Sequence, residues 1–526
     1  MSSSLGKAFT QAQDGENNAV EFDLAYPLSG KLVDAVGEIR QMHGPEIFLL
    51  PMSATSAGGG IFQAAHKPAG TVVGLRFDAP ADPRISCAKQ PRLDQIELGQ
   101  IVIDRERQQV CAGAAITLNQ LNQALAQELG HCFRVPGADL TSYLYAAVGA
   151  TFMTGGMGPQ RRYFSDSVSE IALFDGSDLR SINGEALMGY AGTYGWSGIV
   201  SALRCNFYRF PQNEIAFALP VRQAGDEIAG LLARMSPYTR LRLEPSGAEA
   251  AATNPHDLIL GLEHVSTRSM LPLLRDGGDN AITARARDLQ HKCDLANADG
   301  LIFVNGCSNR SIDEFLLAMA DEEQTDDFSI AGISLENAEV FGDAEEMRAV
   351  REAIPYAARM QSLGGRLIYK NHSDANIRIV ADDIEDSVGQ LWQINRNYVA
   401  EVENHFAAND DVDGEILVYG HLNPYGLDPH NRVTLSSDDE AAFERSREFL
   451  IDARADYYRA LAALCRGGNA EFIGGEKTAD SEIAIFAALG GPQNAPAELY
   501  RRFQQQQAAI NAAAPMFRWR ALPPYV

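Results

Sequence analysis

The sequence predicts an α+β protein with two domains and a C-terminal segment. Residues 1–212 contain short strands, turns and helices around stretches of small residues. Residues 213–464 alternate strands with longer helices, a pattern typical of an α+β domain with an antiparallel sheet. Residues 465–526 end in helices that we expect to return to the first domain. A chain of 526 residues can hold two or three domains with large cores.

Composition and charge narrow the classes of function. Hydrophobic residues make up 46% of the chain and charged residues 21%, as in ordinary globular proteins. The net charge of −25 argues against a nucleic-acid partner, because phosphate binding requires a basic surface. No apolar run reaches the ~18 residues of a membrane span, and MSSSLGKAF lacks the apolar core of a signal peptide, so we expect a cytoplasmic protein. The seven cysteines include no CxxC pair, which favours reduced thiols over an iron–sulfur cluster.

A helix and a strand open the first domain. Residues 26–44 carry Leu32 and Val36 on one helical face, and Ser29 is placed to cap the start of this helix. The apolar run EIFLLP that follows predicts a buried strand. This strand leads into MSATSAGGG, a loop of small residues at positions 52–60.

A second stretch of small residues runs from Ala147 to Tyr163. Glycine lets backbone N–H groups approach a pyrophosphate without a Cβ in the way, and the guanidinium groups of Arg161 and Arg162 match its charge. The stretch therefore predicts a site for a phosphate-bearing cofactor, with a plain connecting loop as the alternative. Its glycines are Gly149, Gly155, Gly156 and Gly158.

The segments on either side of this stretch favour the cofactor site. Residues 110–125 predict a strand, a turn and a helix, and a turn at Pro136-Gly137 follows. Asp175-Gly176 predicts the tip of a hairpin, and residues 193–211 predict a further strand.

This series of motifs resembles the FAD-binding domain of the vanillyl-alcohol oxidase and p-cresol methylhydroxylase superfamily. Order and spacing agree from Val110 to Ile199, and the similarity is greatest to the branch of glycolate oxidase, D-lactate dehydrogenase and D-2-hydroxyglutarate dehydrogenase. The resemblance implies a two-part FAD-binding domain of the p-cresol methylhydroxylase type and an α+β cap domain with an antiparallel sheet.

The resemblance also implies which residues bind FAD. The loop after EIFLLP takes the place of the family's P-R-G-x-G-T-S, which wraps the pyrophosphate, although Met52 replaces the arginine. The expected FAD-binding residues are Pro51, Ser53, Ala54, Thr55, Ser56, Gly58, Pro136, Gly137, Gly149, Thr154, Gly155, Gly156, Gly158, Arg162 and Ile199.

Two segments of the second domain resemble those that hold the substrate in this family. MRAVREAIPYAAR places Arg351 where the family grips a substrate carboxylate, and RLIYKNHSD places Lys370 as a second cationic contact. The alternative for each residue is a solvated surface charge. Together they imply a small 2-hydroxy acid that transfers a hydride to the flavin. The electron acceptor is not identified by the sequence.

A third segment, VYGHLNPYGLDPHNRV, resembles the family's metal motif. The resemblance implies a divalent zinc or manganese ion bound by His421, His430 and Glu476. Eight residues separate the two histidines, where the family has six. Lys477 stands where the family has the histidine that takes the hydroxyl proton.

This last departure leaves the catalytic base and the reaction open. Lysine is protonated up to about pH 10.4, so Lys477 acts as a base only if its surroundings lower its pKa; His372 and Tyr425 are the alternatives. A phenolic or amine substrate, a non-redox rearrangement, and a catalytically degenerate scaffold are the other functions compatible with the sequence. The resembled enzymes are often homodimers, and the sequence does not fix the oligomeric state.

Overall fold

A computed structural model gives the fold as two compact units. The described residues before position 211 and after position 496 form the first unit, and those between them form the second. The structure describes residues 5–11, 22–52, 70–137, 144–156, 163–222, 226–235, 238, 257–320, 329–342, 344–360, 363–380, 384–423, 426–468, 470–474 and 479–517.

The first unit combines a parallel sheet with a larger, mainly antiparallel one. Its strands are β1 (Leu24–Pro27), β2 (Ile47–Met52), β3 (Thr71–Arg76), β4 (Arg84–Cys87), β5 (Gln100–Asp104), β6 (Gln109–Gly113), β7 (Phe133–Arg134), β8 (Val168–Phe174), β9 (Leu179–Asn183), β10 (Ile199–Asn206) and β11 (Tyr208–Arg209). Its helices are α1 (Leu32–His43), α2 (Leu118–Leu129), α3 (Val148–Met153) and, near the C-terminus, α12 (Ala497–Ala512).

Three sets of strands can be distinguished in this unit. The order β1–β3–β2 forms the parallel sheet, β4–β5–β6–β10–β8–β9 forms the larger sheet, and β7 pairs with β11. The predicted strand–turn–helix at 110–125 is confirmed as β6 and α2, and the hairpin at Asp175-Gly176 is confirmed as β8 and β9. Thr117 and Gln120 close a reciprocal capping box at the start of α2.

Two local predictions for the first unit are wrong. The N-cap residue of helix α1 is Lys31 and not Ser29, and Lys31 makes no side-chain cap hydrogen bond. The stretch that begins at Ala147 is not a loop from its start, because Val148 and Phe152 are buried one turn apart in α3. The helical spacing of the apolar residues determines the local structure there, despite the glycines.

The C-terminal segment completes the core of the first unit. Gln506 of α12 donates its side-chain N–H to the carbonyl of Ala191, at 2.6 Å. Phe517 is fully buried and packs edge-to-face on Phe174 of β8, with ring centroids 6.3 Å apart. Residues that follow the whole second unit in the chain therefore stabilise the sheet of the first.

The second unit is built on one large antiparallel sheet. The strands of this unit are β12 (Asn213–Val221), β13 (Asp257–Ser266), β14 (Gly300–Ser308), β15 (Ser329–Ile330), β16 (Ile333–Ser334), β17 (Glu339–Val340), β18 (Leu367–Asp374), β19 (Asn376–Ile379), β20 (Asp413–Asn423), β21 (Gly426–Ser437) and β22 (Ala470–Gly474). Of these, β15 and β16 pair only with each other. Its helices are α4 (Asp226–Met235), α5 (Leu271–Asp276), α6 (Ala281–Lys292), α7 (Ile312–Met319), α8 (Ala344–Met360), α9 (Ile384–Ala407), α10 (Glu440–Arg466) and α11 (Ala479–Leu489).

The sheet order is β17–β12–β14–β13–β20–β21–β19–β22, and β18 also pairs with β21. This arrangement confirms the predicted fold class, a mixture of helices and strands with antiparallel sheets. The boundaries at 212/213 and 464/465 stay predictions, and α10 continues through position 464. No helix in the described part of the chain is both long and apolar enough to cross a bilayer.

The two faces of this sheet carry different partners. On one face, Phe303 and Val265 share an apolar cluster with Val350 of α8. On the other face, His264 packs edge-to-face on Trp392 of α9, with ring centroids 5.0 Å apart. Burial lowers the pKa of the His264 imidazole to about 4.

Acid should destabilise the second unit through His264. Its folded pKa of about 4 lies below the ordinary value of 6.5, so the unfolded chain binds the proton more tightly. The stability that depends on neutral His264 is complete above pH 6.5 and is lost as the pH falls towards 4, by about 3 kcal/mol. We expect His264→Leu to flatten the fall in thermal midpoint over this range. Unchanged acid sensitivity, or an equal effect of His131→Gln at an exposed site, would contradict this expectation.

The C-terminal segment can be tested at Phe517. Replacement by alanine should cost the first unit roughly 3–5 kcal/mol, because it removes a fully buried aromatic ring from the core. Hydrogen exchange of the β8 amides reports this loss for the first unit alone. Met42→Ala, at a side chain that is 54% exposed, is the matched control and should change stability by less than about 0.5 kcal/mol. Equal effects of the two substitutions would argue against this role.

Candidate functional site

A row of buried polar residues crosses the second-unit sheet. Glu263 of β13 lies directly opposite His421 of β20, and His421 lies opposite Asp428 of β21. Asp374 pairs with His430 and Ile377 with Leu427, so the same register places Asn376 opposite Asp428. Directly opposite residues in an antiparallel sheet share a face, which brings these side chains together.

A second row lies beside the first, two residues away from it on each strand. Tyr419 is opposite His430, and His430 is opposite Asp374. The next row along pairs Arg432 with His372. Because side chains alternate along a strand, all three rows occupy one face. All five of these side chains are buried.

His430 is at the centre of this polar face. Its ring lies parallel to that of His372, with centroids 5.3 Å apart and 8° between the planes, and it stacks on Tyr419 at the same distance. The ring of His421 stands perpendicular to it, at 5.3 Å. The Nε2 atom of His430 is 3.4 Å from a carboxylate oxygen of Asp428. Three imidazoles and two carboxylates therefore converge within one hairpin and its neighbouring strand.

Two residues of this face stand out by their lack of hydrogen bonds. Within the described chain, neither carboxylate oxygen of Asp428 has a hydrogen-bond partner, and neither do the amide oxygen and nitrogen of Asn376. Both side chains are fully buried. A buried polar group left unpaired costs roughly 1–3 kcal/mol, and more if it is charged. A bound water, ion or ligand at these two facing positions would remove this cost.

Arg351, the predicted carboxylate clamp, already holds a carboxylate of the protein. Its Nε atom lies 3.2 Å from an oxygen of Glu263, and both side chains are 1% exposed. A second guanidinium nitrogen donates to the side-chain oxygen of Asn305, at 3.3 Å. The alternative interpretation of Arg351 as a solvated surface charge is therefore wrong. Glu263 offsets its positive charge inside the protein.

The structure describes some of the other predicted site residues of the second unit and leaves others undescribed. Lys370 is half-buried and follows the alternation of His372 and Asp374, on the same face of β18. Two candidate bases and one metal ligand, Lys477, Tyr425 and Glu476, lie outside the described residues. The donor atoms of His421 and His430 lie within 4.8 Å of each other, and so do those of His372 and His430. Metal binding by His421 and His430 stays a prediction.

In the first unit, two of the predicted FAD segments meet at one short helix, Phe164–Ser167. The hydroxyl of Ser167 donates to the carbonyl of Pro136, at 2.6 Å, and the N–H of Phe164 donates to the carbonyl of Gly156, at 3.0 Å. Pro136-Gly137 and Gly155-Gly156 thus lie close together. The remaining predicted FAD residues in loops, Ser53, Ala54, Thr55, Ser56, Gly58, Gly158 and Arg162, lie outside the described residues.

The described backbone N–H groups of the glycine stretch donate hydrogen bonds to carbonyls of α3. Those of Thr154 and Gly156 donate to carbonyls within this helix, at 2.8 and 2.9 Å, and Gly155 makes a longer bond of the same kind. These bonds satisfy the last carbonyls of α3, which would otherwise lack partners. The described part of the stretch therefore ends a helix, and its amides are engaged rather than free for a phosphate.

Close packing of backbone against neighbouring residues explains two of the glycines at this place. A Cβ added to Gly149 would lie 2.6 Å from the Cβ of Ala114, so only glycine fits there. Gly155 and Gly192 both have positive φ, of 66° and 72°, and a Cβ added to Gly155 would lie 3.4 Å from the Cα of Gly192. Two other predicted FAD-binding residues lie in strands, Pro51 in β2 and Ile199 in β10.

Sequence reasoning missed several residues of the polar face. Asp428 and Asp374 each precede or follow a predicted histidine by two positions, and that spacing places them on the histidines' face of a strand. A strand assignment for 413–437 would have exposed this pattern. The missed residues are Glu263, Asp374, Asn376, Tyr419, Asp428 and Arg432.

Comparison with known proteins shows the fold of the chain. No family model matches it, and no curated protein sequence matches it significantly. Among solved structures, an alkyldihydroxyacetonephosphate synthase is similar at a TM-score of 0.56 and 12% identity, over 84% of this chain and 71% of that one. A 6-hydroxy-D-nicotine oxidase from Arthrobacter nicotinovorans gives 0.53 and 12%, over 98% and 96%. A 4-ethylphenol oxidase from Gulosibacter chungangensis gives 0.55 and 13%, over 96% and 90%. At these identities the likeness establishes a shared fold.

The buried pair of Arg351 and Glu263 makes a stability prediction. Glu263→Gln leaves the guanidinium buried without its counter-charge and should cost roughly 3–5 kcal/mol. Calorimetry of the second unit's unfolding measures this cost. Glu403→Gln, which breaks the more exposed pair with Arg268, should cost less than about 1 kcal/mol.

A double variant, Glu263→Leu with Arg351→Met, separates charge from packing at this place. It should recover most of the stability lost in Glu263→Gln, because apolar replacements remove both buried charges together. Wild-type stability of Glu263→Gln would show that the pair is not the neutralising contact described above.

Proposed function

We propose that the protein is an FAD-dependent oxidoreductase that oxidises a small alcohol bearing a carboxylate, a 2-hydroxy acid. The first unit is the proposed FAD-binding domain of the p-cresol methylhydroxylase type, and the second is the proposed cap domain. The ordered flavin motifs and the fold shared with two proteins named as oxidases support this proposal. When bound, FAD would supply the group that accepts the hydride.

The single observation that carries the proposal is the buried polar face centred on His430. Oxidation of an alcohol requires a group that takes the hydroxyl proton, and an imidazole with an ordinary pKa near 6.5 suits this role at neutral pH. Of the three candidate bases, we propose His372, because it is buried beside Asp374 and parallel to His430. A zinc or manganese ion at His421 and His430 would polarise the hydroxyl oxygen.

The substrate carboxylate needs a cation other than Arg351, whose charge Glu263 offsets. We propose Arg432, which is buried directly opposite His372, with Lys370 two residues earlier on the same face. A guanidinium can bind a carboxylate through two parallel hydrogen bonds, which also orients it. This assignment moves the anion site from α8 to the hairpin β20–β21.

The same neutralised Arg351 favours a second candidate, a flavoprotein that oxidises an uncharged phenol or an amine. Two of the structural neighbours are named as oxidases of 6-hydroxy-D-nicotine and 4-ethylphenol. A third neighbour is named as a synthase, and a non-redox rearrangement is therefore a further candidate reaction. A catalytically degenerate scaffold would bind flavin without reducing it. The electron acceptor and the oligomeric state are left to experiment.

Anaerobic titration distinguishes these candidates. The purified protein should be yellow, and a 2-hydroxy acid from a panel that also holds phenols and amines should bleach the flavin absorption. His372→Gln should slow this reduction by roughly 10²–10⁴-fold without changing the spectrum of the oxidised flavin, because it removes the proposed base. His131→Gln, at an exposed histidine, is the control.

Each other outcome selects another candidate. Bleaching by a phenol or an amine alone would favour the second function. A yellow protein that no member of the panel bleaches would favour a scaffold or a rearrangement. A colourless protein that takes up no added FAD would overturn the proposal.

A further inference from the structure

We propose that Asp428 is the third protein ligand of a divalent-metal site whose other ligands are His421 and His430. A single β-hairpin, β20–β21, would then supply the whole ligand set. The inference deepens the proposed function, because it concerns the ion assigned there to the two histidines. It replaces Glu476, the third ligand implied by the family resemblance.

The hairpin register brings the three side chains together. His421 and Asp428 are directly opposite each other, and Asp428 and His430 are two residues apart on β21. All three therefore project from one face. One ligand atom from each residue lies within 4.8 Å of the others, and all three residues are buried. Regular strands hold such a set more rigidly than loops do.

The separation between Asp428 and His430 suits a shared ion. The Nε2 and carboxylate oxygen atoms are 3.4 Å apart, and this contact does not meet hydrogen-bond geometry. Two ligands of a tetrahedral ion at the usual Zn–N and Zn–O distances of about 2.0–2.1 Å lie about 3.3–3.4 Å from each other. The spacing of this pair is therefore compatible with a shared zinc ion.

The carboxylate of Asp428, which accepts no hydrogen bond from the described residues, gives an independent reason for a cation. It is fully buried, and neither oxygen has a hydrogen-bond partner within the described chain. Burying a carboxylate is costly unless it is paired or coordinates a metal. The facing amide of Asn376 is unpaired among the described residues as well, and it can orient a ligating carboxylate or a metal-bound water.

Neighbouring groups define the surroundings of the ion. The donor atoms of His372 and Asp374 lie within 4.8 Å of that of His430, so a second triad overlaps the first. We assign Asp374 to supporting the site, because metal-ligating groups are commonly oriented by nearby carboxylates, and His372 keeps its proposed role as the base. Two imidazoles and one carboxylate form a ligand set typical of zinc, with a fourth position open to substrate or water.

Zinc binding by the full-length chain tests the ligand assignment directly. The protein is stripped with a chelator, dialysed against zinc chloride, and measured for bound zinc and for the rise in thermal midpoint. Wild type and Glu476→Gln should bind stoichiometric zinc, whereas Asp428→Asn and His430→Gln should lose affinity by roughly 100-fold or more. His131→Gln is the matched histidine control. Circular dichroism of the stripped variants confirms folding, and Asp428→Asn keeps the shape of the side chain.

Three results would overturn the assignment: no zinc on the wild type, zinc retained by Asp428→Asn, or zinc lost from Glu476→Gln alone. Flavin bleaching is recorded separately on the same samples. Stoichiometric zinc without bleaching by a hydroxy acid would refute the proposed function and leave the metal site standing. Bleaching by a wild type that binds no zinc would refute the metal site alone.

Discussion

The strand register of the second-unit sheet is the constraint on which the candidate site depends. Pairing of β13, β20, β21 and β18 places Glu263, His421, Asp428, His430 and Asp374 on one face. A shift of one residue in β21 would turn its ligands to the opposite face, where α9 packs. The site is therefore a product of backbone pairing, and its side chains are held by the most regular part of this unit.

The second unit contains two kinds of buried charged group, which differ in whether the protein supplies a permanent counter-charge. Arg351 and Glu263 neutralise each other, at 3.2 Å, and such a pair is stable because neither group is left alone. Among the described residues, the ion-pair partner of Asp428 is the imidazole of His430, which is charged only when protonated. The first arrangement is complete within the protein, whereas a cation would complete the second. This contrast is the reason for proposing the metal site at the hairpin and not at α8.

Local patterns in the sequence predicted the fold well and the site only in part. Apolar periodicity identified β2, β6, α2 and the alternation of strands and helices in residues 213–464, because each pattern reports burial of its own segment. The partner of Arg351 could not be predicted, since Glu263 is 88 positions earlier in the numbering and meets it only through the sheet. Gly155 and Gly156 show a different limit: the sequence cannot tell whether a glycine's amide serves a ligand or the end of a helix.

The insertion of Phe517 into the core of the first unit has a consequence for biosynthesis. A ribosome delivers β8 long before it delivers this ring, with the entire second unit in between. Until Phe517 is synthesised, the sheet of the first unit leaves part of its apolar surface uncovered, and this state is prone to aggregation. Folding of the first unit should therefore finish only after the second unit has been synthesised, and chaperones that shield such surfaces should matter for its yield.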